Sequence, residues 1–495
     1  MKTTLRAVLS VALLIGFYGL TLGLVAVLIV LGLRGSAYLD IAGITVVRGF
    51  MLGGALLLLI TVVFITGSVL LTRPSPPVGI RLEPEQAPEL WQNVRHLAAR
   101  VAAGEPDEIW LTDGAHATVT DSARLFGLIP GRRRVILGLP LLQRYTVDQL
   151  RAILAHELAH FSRWHSTTQV LALGGRTMVV EIARHTHVFP LRGLLTGYAR
   201  LHVAVHQAVS REMECVADRF AVAAAGRPAL VSALHELRLV DTGWAEYLTN
   251  HVNPAYEAGH LPADLFGGFA EYLAVCGEQV RRRSSDWALA ESNWWDTHPS
   301  IGERIGALRF VPDVPVSADE RPAIDLLPHP DAASRELQTR LFDNAGIQVL
   351  SWDQIGPLLD HRNAHALAQP LMQAAARIAG QESADLGLVL DLFGACRYAE
   401  LADELTGGAE EGRLTALTVA FEGAVEAAAV DSGAAAWRHS WTGPGKLLTT
   451  DGESFPLGEI VELAADPDTV PAARERLAAL GIRPSATAPT GAATA

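Results

Sequence analysis

Apolar residues fill two long segments at the beginning of the 495-residue chain, residues 7–33 and 49–72. Neither segment contains a charged residue, and each exceeds the roughly 20 residues that a helix needs to cross the apolar core of a bilayer. The first segment is also longer than the apolar part of a cleavable signal peptide. We therefore predict two retained transmembrane helices within residues 1–73 and a multi-pass protein of the cell membrane, in contact with the lipid bilayer.

Basic residues are slightly more frequent around these two segments than between them. The basic residues of the flanks are Lys2, Arg6, Arg73 and Arg81. The short connection also carries basic residues, but an acidic residue, Asp40, offsets part of their charge. Because cytoplasmic flanks carry the excess of Lys and Arg, this pattern predicts that the rest of the chain is cytoplasmic. The reverse orientation remains the alternative.

The pattern changes after residue 83. Apolar residues recur at helical spacing over residues 84–103, and alternating apolar residues then predict three short strands. The predicted strands are residues 108–112, 115–119 and 134–139. A small sheet is therefore expected directly before the next helix.

That next helix has a clear start signal. Thr146 and Gln149 have the spacing of a capping box, and an apolar stripe follows at helical spacing. A second long helix is predicted over residues 203–225. The segment between them, residues 166–202, is apolar but interrupted by charges, which favours amphipathic surface helices over further membrane spans.

The motif HELAH, residues 156–160, lies in the middle of the first of these helices. Residues four apart share one face of a helix, so His156 and His160 are placed to hold one zinc ion with Glu157 beside it as a base. A catalytic zinc site has three protein ligands and one open position for water. A third ligand must therefore come from elsewhere in the chain.

Glu214 in the second helix is the best candidate for that third ligand, and His206 is the alternative. Asp218 follows one turn after Glu214 and faces the same way. Its carboxylate is placed to accept a hydrogen bond from a ligand imidazole and to fix the tautomer of that ring.

Charge and cysteine content argue against other classes of function. The net charge of −13 opposes a nucleic-acid partner, because binding phosphates needs a basic surface. The three cysteines are scattered, which fits neither a disulfide framework nor a CxxC metal site and is typical of a reducing compartment.

The chain changes character again after residue 310. Residues 311–483 are rich in Ala and Leu at helical spacing, which predicts a helical C-terminal region of unknown role. Residues 484–495 are rich in Pro, Thr and Ala, and this composition predicts a disordered tail.

Three motifs in this order resemble the M48 metallopeptidases, a family that includes a bacterial heat-shock membrane protease and the CAAX-processing prenyl protease. They are HELAH at residues 156–160, SREMECVAD at residues 210–218, and THPS followed by ERI within residues 297–305. The resemblance covers roughly residues 80–310. It implies an α+β, mostly helical fold, with a zincin-like (gluzincin) domain and a small β-sheet at residues 74–310.

The resemblance also implies roles for individual residues. His156, His160 and Glu214 are implied as the ligands of one zinc ion per chain, and Glu157 as the catalytic base. His298 is implied as a catalytic group near the substrate carbonyl, where a donor stabilises the developing oxyanion. The alternative for His298 is that it merely caps a helix. Arg304 is implied as a residue that supports the site from behind.

The sequence departs from the family at the strand before the active helix. The family usually carries an Asn-Ala pair there, whereas this chain has His116, Ala117 and Thr118. Pairing with an extended substrate uses backbone groups, so this segment remains the predicted substrate strand.

Together these features predict a membrane-anchored, zinc-dependent metalloendopeptidase. A zinc-activated water hydrolyses the peptide bond of a protein or peptide substrate, with Glu157 as general base. The alternatives are a noncatalytic zinc-binding membrane scaffold and a regulatory sensor gated by a partner at the C-terminal region. Glu157 argues against the scaffold, because a structural zinc site needs no base beside the metal.

Overall fold

The fold is mostly helical with small sheets, as the sequence predicts. A computed structural model describes residues 2–34, 43–71, 75–122, 131–162, 178–186, 191–288, 299–316, 318–342, 347–407 and 412–483. The chain divides into two compact units, Met1–Ala245 with Gly277–Asp343 and Glu246–Cys276 with Asn344–Ala495. The domain boundary predicted at residue 310 lies inside the first unit and stays a prediction. The tail at 484–495 lies outside the described residues.

Two long apolar helices open the first unit. Helix α1 spans Lys2–Arg34 and helix α2 spans Gly43–Leu71. Each contains a stretch, Val8–Arg34 and Val47–Ser68, that is long and apolar enough to cross a membrane. Their positions match the two predicted spans and agree with membrane anchoring.

The described part of the segment between the two motif helices is helical and packs against these apolar helices. Residues 178–185 form α6, and α7 spans Leu191–Ala225. Buried side chains of α1, α2, α6 and the first half of α7 form one apolar cluster. This packing explains why α7 begins earlier than the predicted residue 203: Leu195 and Ala199 join the cluster.

A four-stranded sheet precedes the active helix. Its strands are β1 (Ile80–Leu82), β2 (Glu108–Thr112), β3 (Ala117–Asp121) and β4 (Arg133–Gly138), in the spatial order β1-β2-β4-β3. Strands β2 and β4 are parallel, and the other pairs are antiparallel. The predicted strands recur within one or two residues of these bounds. Strand β3 therefore forms an edge of this sheet.

Helix α5, Val147–Ala159, and its C-cap residue carry the first two predicted ligands. Thr146 caps it in a complete capping box with Gln149, as predicted. The apolar stripe of the helix is buried, and α3 (Pro88–Arg100) packs against it. The expectation that HELAH lies mid-helix is wrong, because the helix ends at Ala159 and His160 is its C-cap. The last turn tightens into hydrogen bonds three residues apart, but His160 keeps helical dihedral angles, so both histidines still share one face.

The first unit also contains further helices. Two of them, α8 (Arg227–Tyr247) and α10 (Leu265–Ala288), extend into the second unit. The others are α4 (Leu139–Arg144), α11 (Ile301–Leu308), a 3-10 turn (Ala323–Leu326) and α12 (Pro330–Leu341).

The second unit is a helical assembly with two small two-stranded sheets. Its long helix α13, Trp352–Ala379, packs along α16, Arg413–Asp431, and an apolar core surrounds this pair. The shorter helices are α9 (Asn253–Glu257), α14 (Leu386–Gly394), α15 (Tyr398–Thr406), α17 (Leu457–Ala464) and α18 (Val470–Ala479). The strands are β5 (His260–Pro262), β6 (Gln348–Leu350), β7 (Ala435–Arg438) and β8 (Lys446–Thr449).

Candidate metal centre and active site

Three side chains predicted as ligands meet where α5 crosses α7. The Nε2 atoms of His156 and His160 lie 3.3 Å apart. The Oε2 atom of Glu214 lies 3.3 Å from Nε2 of His156, and its Oε1 atom lies 3.5 Å from Nε2 of His160. His156 and Glu214 are buried, whereas His160 is partly exposed. The three donor groups therefore outline a small triangle with one side toward solvent.

This triangle has the dimensions of one face of a tetrahedral zinc site. Zinc binds imidazole nitrogen and carboxylate oxygen at about 2.0–2.2 Å, so two ligand atoms of a tetrahedron are separated by about 3.3–3.6 Å. The observed separations of 3.3, 3.3 and 3.5 Å, in which each histidine is measured to a different oxygen of the Glu214 carboxylate, fall in that range. Two imidazoles and one carboxylate are also a donor set of catalytic zinc sites. The residues present therefore fit a zinc ion.

Two buried charged residues hold His156 from its far side. Its Nδ1 atom lies 2.9 Å from Oδ1 of Asp218, and the same carboxylate accepts hydrogen bonds from Nη2 and Nε of Arg304 at 2.5 and 3.3 Å. When Nδ1 donates its proton to Asp218, the lone pair of Nε2 points at the other two ligands. Asp218 thus lies where its sequence position predicts, and Arg304 supports it.

The electrostatics of this group follow from its burial. Burial and the Arg304 charge oppose protonation of His156, but hydrogen bonds to Asp218 and Glu214 outweigh them and raise its pKa. Burial likewise opposes ionisation of Asp218, but His156 and Arg304 lower its pKa. The site therefore keeps an ionised carboxylate behind the imidazole at neutral pH.

Arg304 reaches this position because its helix starts close to the site. Ser300 caps α11 in a capping box with Glu303, which places Arg304 in the first turn. Its guanidinium is buried, and burial by itself lowers its pKa. The carboxylates of Asp218, Glu214 and Glu157 have the larger, opposite effect, so the pKa of Arg304 is raised. Ser300 caps this helix, whereas His298, the other predicted residue of this segment, lies outside the described residues.

The predicted base and the predicted substrate strand are neighbours. Glu157 is half-buried, and its Oε2 atom accepts a hydrogen bond of 3.4 Å from the Thr118 hydroxyl of β3. Ala117 and Thr118 pair with Leu137 and Ile136 of β4, so the other backbone edge of β3 faces away from the sheet. An edge strand thus runs beside the base.

His116 lies at the entry to this strand. It is exposed, and its carbonyl oxygen accepts a hydrogen bond of 2.8 Å from the Gly138 amide. The side chain of His206, the alternative third ligand, lies outside the described part of the chain. Glu214 occupies the third corner of the triangle.

A second group of metal-ligand type lies in the second unit and was not predicted. It consists of His361, His365 and Asp431. The signal was present in the sequence, since the two histidines are four residues apart in a helical segment. The carboxylate comes from another helix, and no local pattern connects it with them.

Comparison with known proteins shows a likeness to one peptidase family. The model of the family described as "Peptidase family M48" matches residues 84–311. The Protease HtpX homolog of Albidiferax ferrireducens is 26% identical over 325 residues, which covers 63% of this chain and 100% of that protein. The homolog of Herminiimonas arsenicoxydans is 29% identical over 275 residues, 51% of this chain and 85% of that protein.

A further relative matches a shorter part of the chain. The Protease HtpX homolog of Polaromonas naphthalenivorans is 28% identical over 191 residues, so the match spans 37% of this chain and 60% of that protein. No solved structure gives a significant match. The family match and these relatives support a membrane-associated protease as the class of function. The M48 match covers both motif helices and α11, so residues 84–311 of this chain are similar to peptidase family M48.

Proposed function

We propose that the chain is a membrane-anchored zinc metalloendopeptidase that cleaves peptide bonds with Glu157 as general base. One observation carries the proposal: donor atoms of His156, His160 and Glu214 converge with tetrahedral spacing beside the carboxylate of Glu157. An ion held only for structure has no use for a carboxylate that follows a ligand directly and lies next to an edge strand.

His156, His160 and Glu214 are the residues that would hold the ion. A bound zinc ion would supply Lewis acidity, which polarises the scissile carbonyl and makes water a better nucleophile at neutral pH. Asp218 fixes the ring of His156 in the required orientation. The positive charge of Arg304, which is buried beside Asp218, keeps that carboxylate ionised. His156 is therefore held in place before substrate arrives.

Glu157 moves the proton. Its carboxylate takes a proton from the attacking water and passes it to the nitrogen of the scissile bond, which then leaves as an amine. The hydrogen bond from Thr118 restrains the carboxylate on the side of β3. The base is thus positioned where a bound peptide would lie.

The substrate is proposed to bind as an additional strand along β3. The exposed edge of β3 offers peptide groups to an extended segment, and such pairing depends on the backbone and not on a particular sequence. Flexible or unfolded segments fit this mode, because a folded protein must first release the peptide from its own structure. The basic flanks of α1 and α2 favour a cytoplasmic position for this domain.

The experiment is the Glu157→Gln substitution in the full-length protein purified in detergent. The amide that replaces the carboxylate keeps the shape of the side chain but cannot take a proton, so we expect cleavage of an unfolded protein such as casein to fall by roughly 10²–10⁴-fold. Zinc content, measured by mass spectrometry of the metal, should stay unchanged, because Glu157 is not a ligand.

The matched control is Glu105→Gln, which removes an exposed carboxylate from the same unit. It should cleave casein at the wild-type rate. Proteolysis by the Glu157→Gln protein at the wild-type rate would contradict the assignment of the base. Retained zinc with no cleavage by the wild-type protein would instead support a noncatalytic scaffold.

A further inference from the structure

His361, His365 and Asp431 bring three further donor groups together in the second unit. The two histidines lie one turn apart on α13, and Asp431 is the last residue of α16. The Nε2 atoms of the histidines lie 3.2 Å apart. Oδ1 of Asp431 lies 2.9 Å from Nε2 of His361, and Oδ2 lies 3.2 Å from Nε2 of His365. Both rings thus point their Nε2 atoms at one carboxylate.

These separations are close to those of a metal site. Ligand atoms around a tetrahedral zinc ion lie about 3.3–3.6 Å apart, and with Oδ1 as the ligand atom of Asp431 the three observed separations are 2.9, 3.2 and 3.4 Å. Shifts of a few tenths of an ångström, within the reach of a side-chain rotation, bring the shortest pair to that spacing. A simple ion pair would need only one of the two histidines. The convergence of both therefore indicates a common ion.

The helices that carry the cluster are packed closely. A Cβ atom at Gly423 of α16 would come within 2.8 Å of Leu367 Cβ and 2.9 Å of the Ala364 carbonyl oxygen of α13. Only glycine therefore allows this approach of the two helices, close to His361 and His365 along α13. Backbones held this firmly keep the three ligands near the geometry of the bound state, which reduces the conformational entropy lost on binding.

The cluster is open to solvent. The exposed fractions of the side chains are 30% for His361, 53% for His365 and 51% for Asp431. His365 and Asp431 also line an open groove of about 560 Å³. An ion can therefore enter and leave, and water can complete its coordination.

The same openness separates this cluster from a catalytic centre. Arg362 follows His361, at the position that Glu157 occupies after His156. A cation next to the ligands cannot serve as general base. In the described part of the chain, moreover, the Nδ1 atoms of His361 and His365 have no hydrogen-bond partner that would orient the rings. The chemistry offered is ion binding without hydrolysis.

We propose that His361, His365 and Asp431 form a second metal site, which binds a divalent transition-metal ion of the zinc class and links α13 to the end of α16. Imidazole and carboxylate donors suit zinc, nickel, copper or cobalt in preference to calcium or magnesium. The site lies outside the M48 match and does not depend on the proposed peptidase activity.

The test is zinc stoichiometry in the full-length protein, stripped with a chelator, reloaded with zinc and separated from free metal. Two ions per chain are expected for the wild type and one for His361→Ala/His365→Ala. Glu214→Ala should also keep one ion, now at the second site. Combining Glu214→Ala with the double histidine substitution should leave none. The control His96→Ala/His329→Ala removes two exposed histidines and should keep both ions.

Asp431→Asn provides a variant with almost unchanged shape in case the histidine variant fails to fold. It should lose the same ion. Cobalt(II) loaded into the Glu214→Ala protein should give the visible absorption of a tetrahedral site, and adding Asp431→Asn to that protein should abolish this absorption. The proposal is overturned if the Glu214→Ala protein binds no zinc. It is equally overturned if the histidine and Asp431 variants bind as many ions as the wild type.

Discussion

His156 with His160 and His361 with His365 are two histidine pairs with the same spacing and nearly the same ring geometry. The ring centroids lie 5.0 Å apart in the first pair and 4.7 Å apart in the second. In both pairs the edge of one ring faces the plane of the other. A carboxylate from another helix completes each group. The first group is largely buried, whereas the second is open to water.

The difference teaches what a hydrolytic centre needs beyond its ligands. Ligand spacing is common to both groups, so spacing alone does not separate an ion-binding site from a catalytic one. The first centre adds Glu157 as the proposed base, a buried Asp218 behind one ligand, and an edge strand as the proposed position of the peptide. These additions come from three different elements, and each of them can be altered separately.

Removal of the buried Asp218 carboxylate should leave the first centre without support behind its ligand, as in the second. After Glu157→Gln, this change is expected to have the largest effect. Asp218→Asn leaves an acceptor for Nδ1 of His156 but takes away the charge that accompanies buried Arg304. We expect zinc affinity and casein cleavage each to fall by about 10–100-fold, and the free energy of unfolding to fall by about 3 kcal/mol. Zinc titration and chemical denaturation measure the two effects.

Asp148→Asn is the matched control for this variant. Asp148 is also a buried aspartate of the first unit and also accepts hydrogen bonds, but it contacts Arg151 and the Asp319 amide instead of a ligand. It should lose stability and retain zinc affinity. Equal zinc affinity in Asp218→Asn and the wild type would show that the ring of His156 needs no support.

The parts of the site that were predictable are those with a local signal. The capping box at Thr146 indicated where α5 begins, and the interval of four residues placed His156 and His160 on one face. The same rule placed Asp218 on the face of Glu214, which was the better candidate for the third ligand, with His206 as the alternative. Three strands of the sheet, β2, β3 and β4, were also predictable, because turn residues separate their alternating apolar patterns, whereas β1 was not predicted.

The remainder depends on contacts between distant residues. The sequence does not reveal that Arg304 is buried against Asp218, 86 positions away, or that Asp431 meets α13. The early start of α7 depends on the apolar cluster with α1 and α2, which no pattern within 191–202 specifies. Helix α5 ends at Ala159 because its last turn tightens. The spacing of apolar residues is the same with or without this tightening, so the sequence pattern does not predict where the helix ends.

The two units are also expected to differ in their response to pH, with the larger effect in the first unit. Burial of Glu108 opposes its ionisation, but hydrogen bonds from Arg132, Trp110 and Arg134 lower its pKa from 4.5 to about 2. Ionised Glu108 therefore stabilises the folded protein. This contribution to the free energy of unfolding is full above pH 4.5 and is lost as the pH falls through 2. Glu108→Gln should therefore cost about 2 kcal/mol at pH 7, measured by hydrogen exchange of the sheet, and less as the pH approaches 2.

Glu426 of α16 should behave in the opposite way. Burial, Glu422 and Asp360 raise its pKa to about 7, so its contribution to stability is full below pH 4.5 and is lost as the pH rises through 7. Glu426→Gln should stabilise α16 against hydrogen exchange by about 1 kcal/mol at about pH 8, after allowance for solvent screening, and have no effect at about pH 4.5. A destabilised Glu426→Gln protein at the higher pH would contradict this sign.

The smallest expected effect concerns the strand beside the base. The Thr118 hydroxyl donates a hydrogen bond to Glu157 at 3.4 Å, which is long enough to be weak. Thr118→Val removes the donor and keeps the shape of a β-branched residue on β3. We expect the activation free energy to rise by about 1 kcal/mol, which corresponds to a roughly fivefold fall in kcat for casein cleavage. Zinc content should stay unchanged.

Thr120→Val is the matched control, because Thr120 lies two residues along the same strand and is equally half-buried. It should leave kcat unchanged. If both variants lower kcat alike, the effect belongs to the strand as a surface for the peptide and not to the hydrogen bond. If Thr118→Val alone lowers kcat, the edge strand acts on the proposed base through this hydrogen bond. The exposed His361 cluster offers no such effect, because Arg362 stands there at the position of the base.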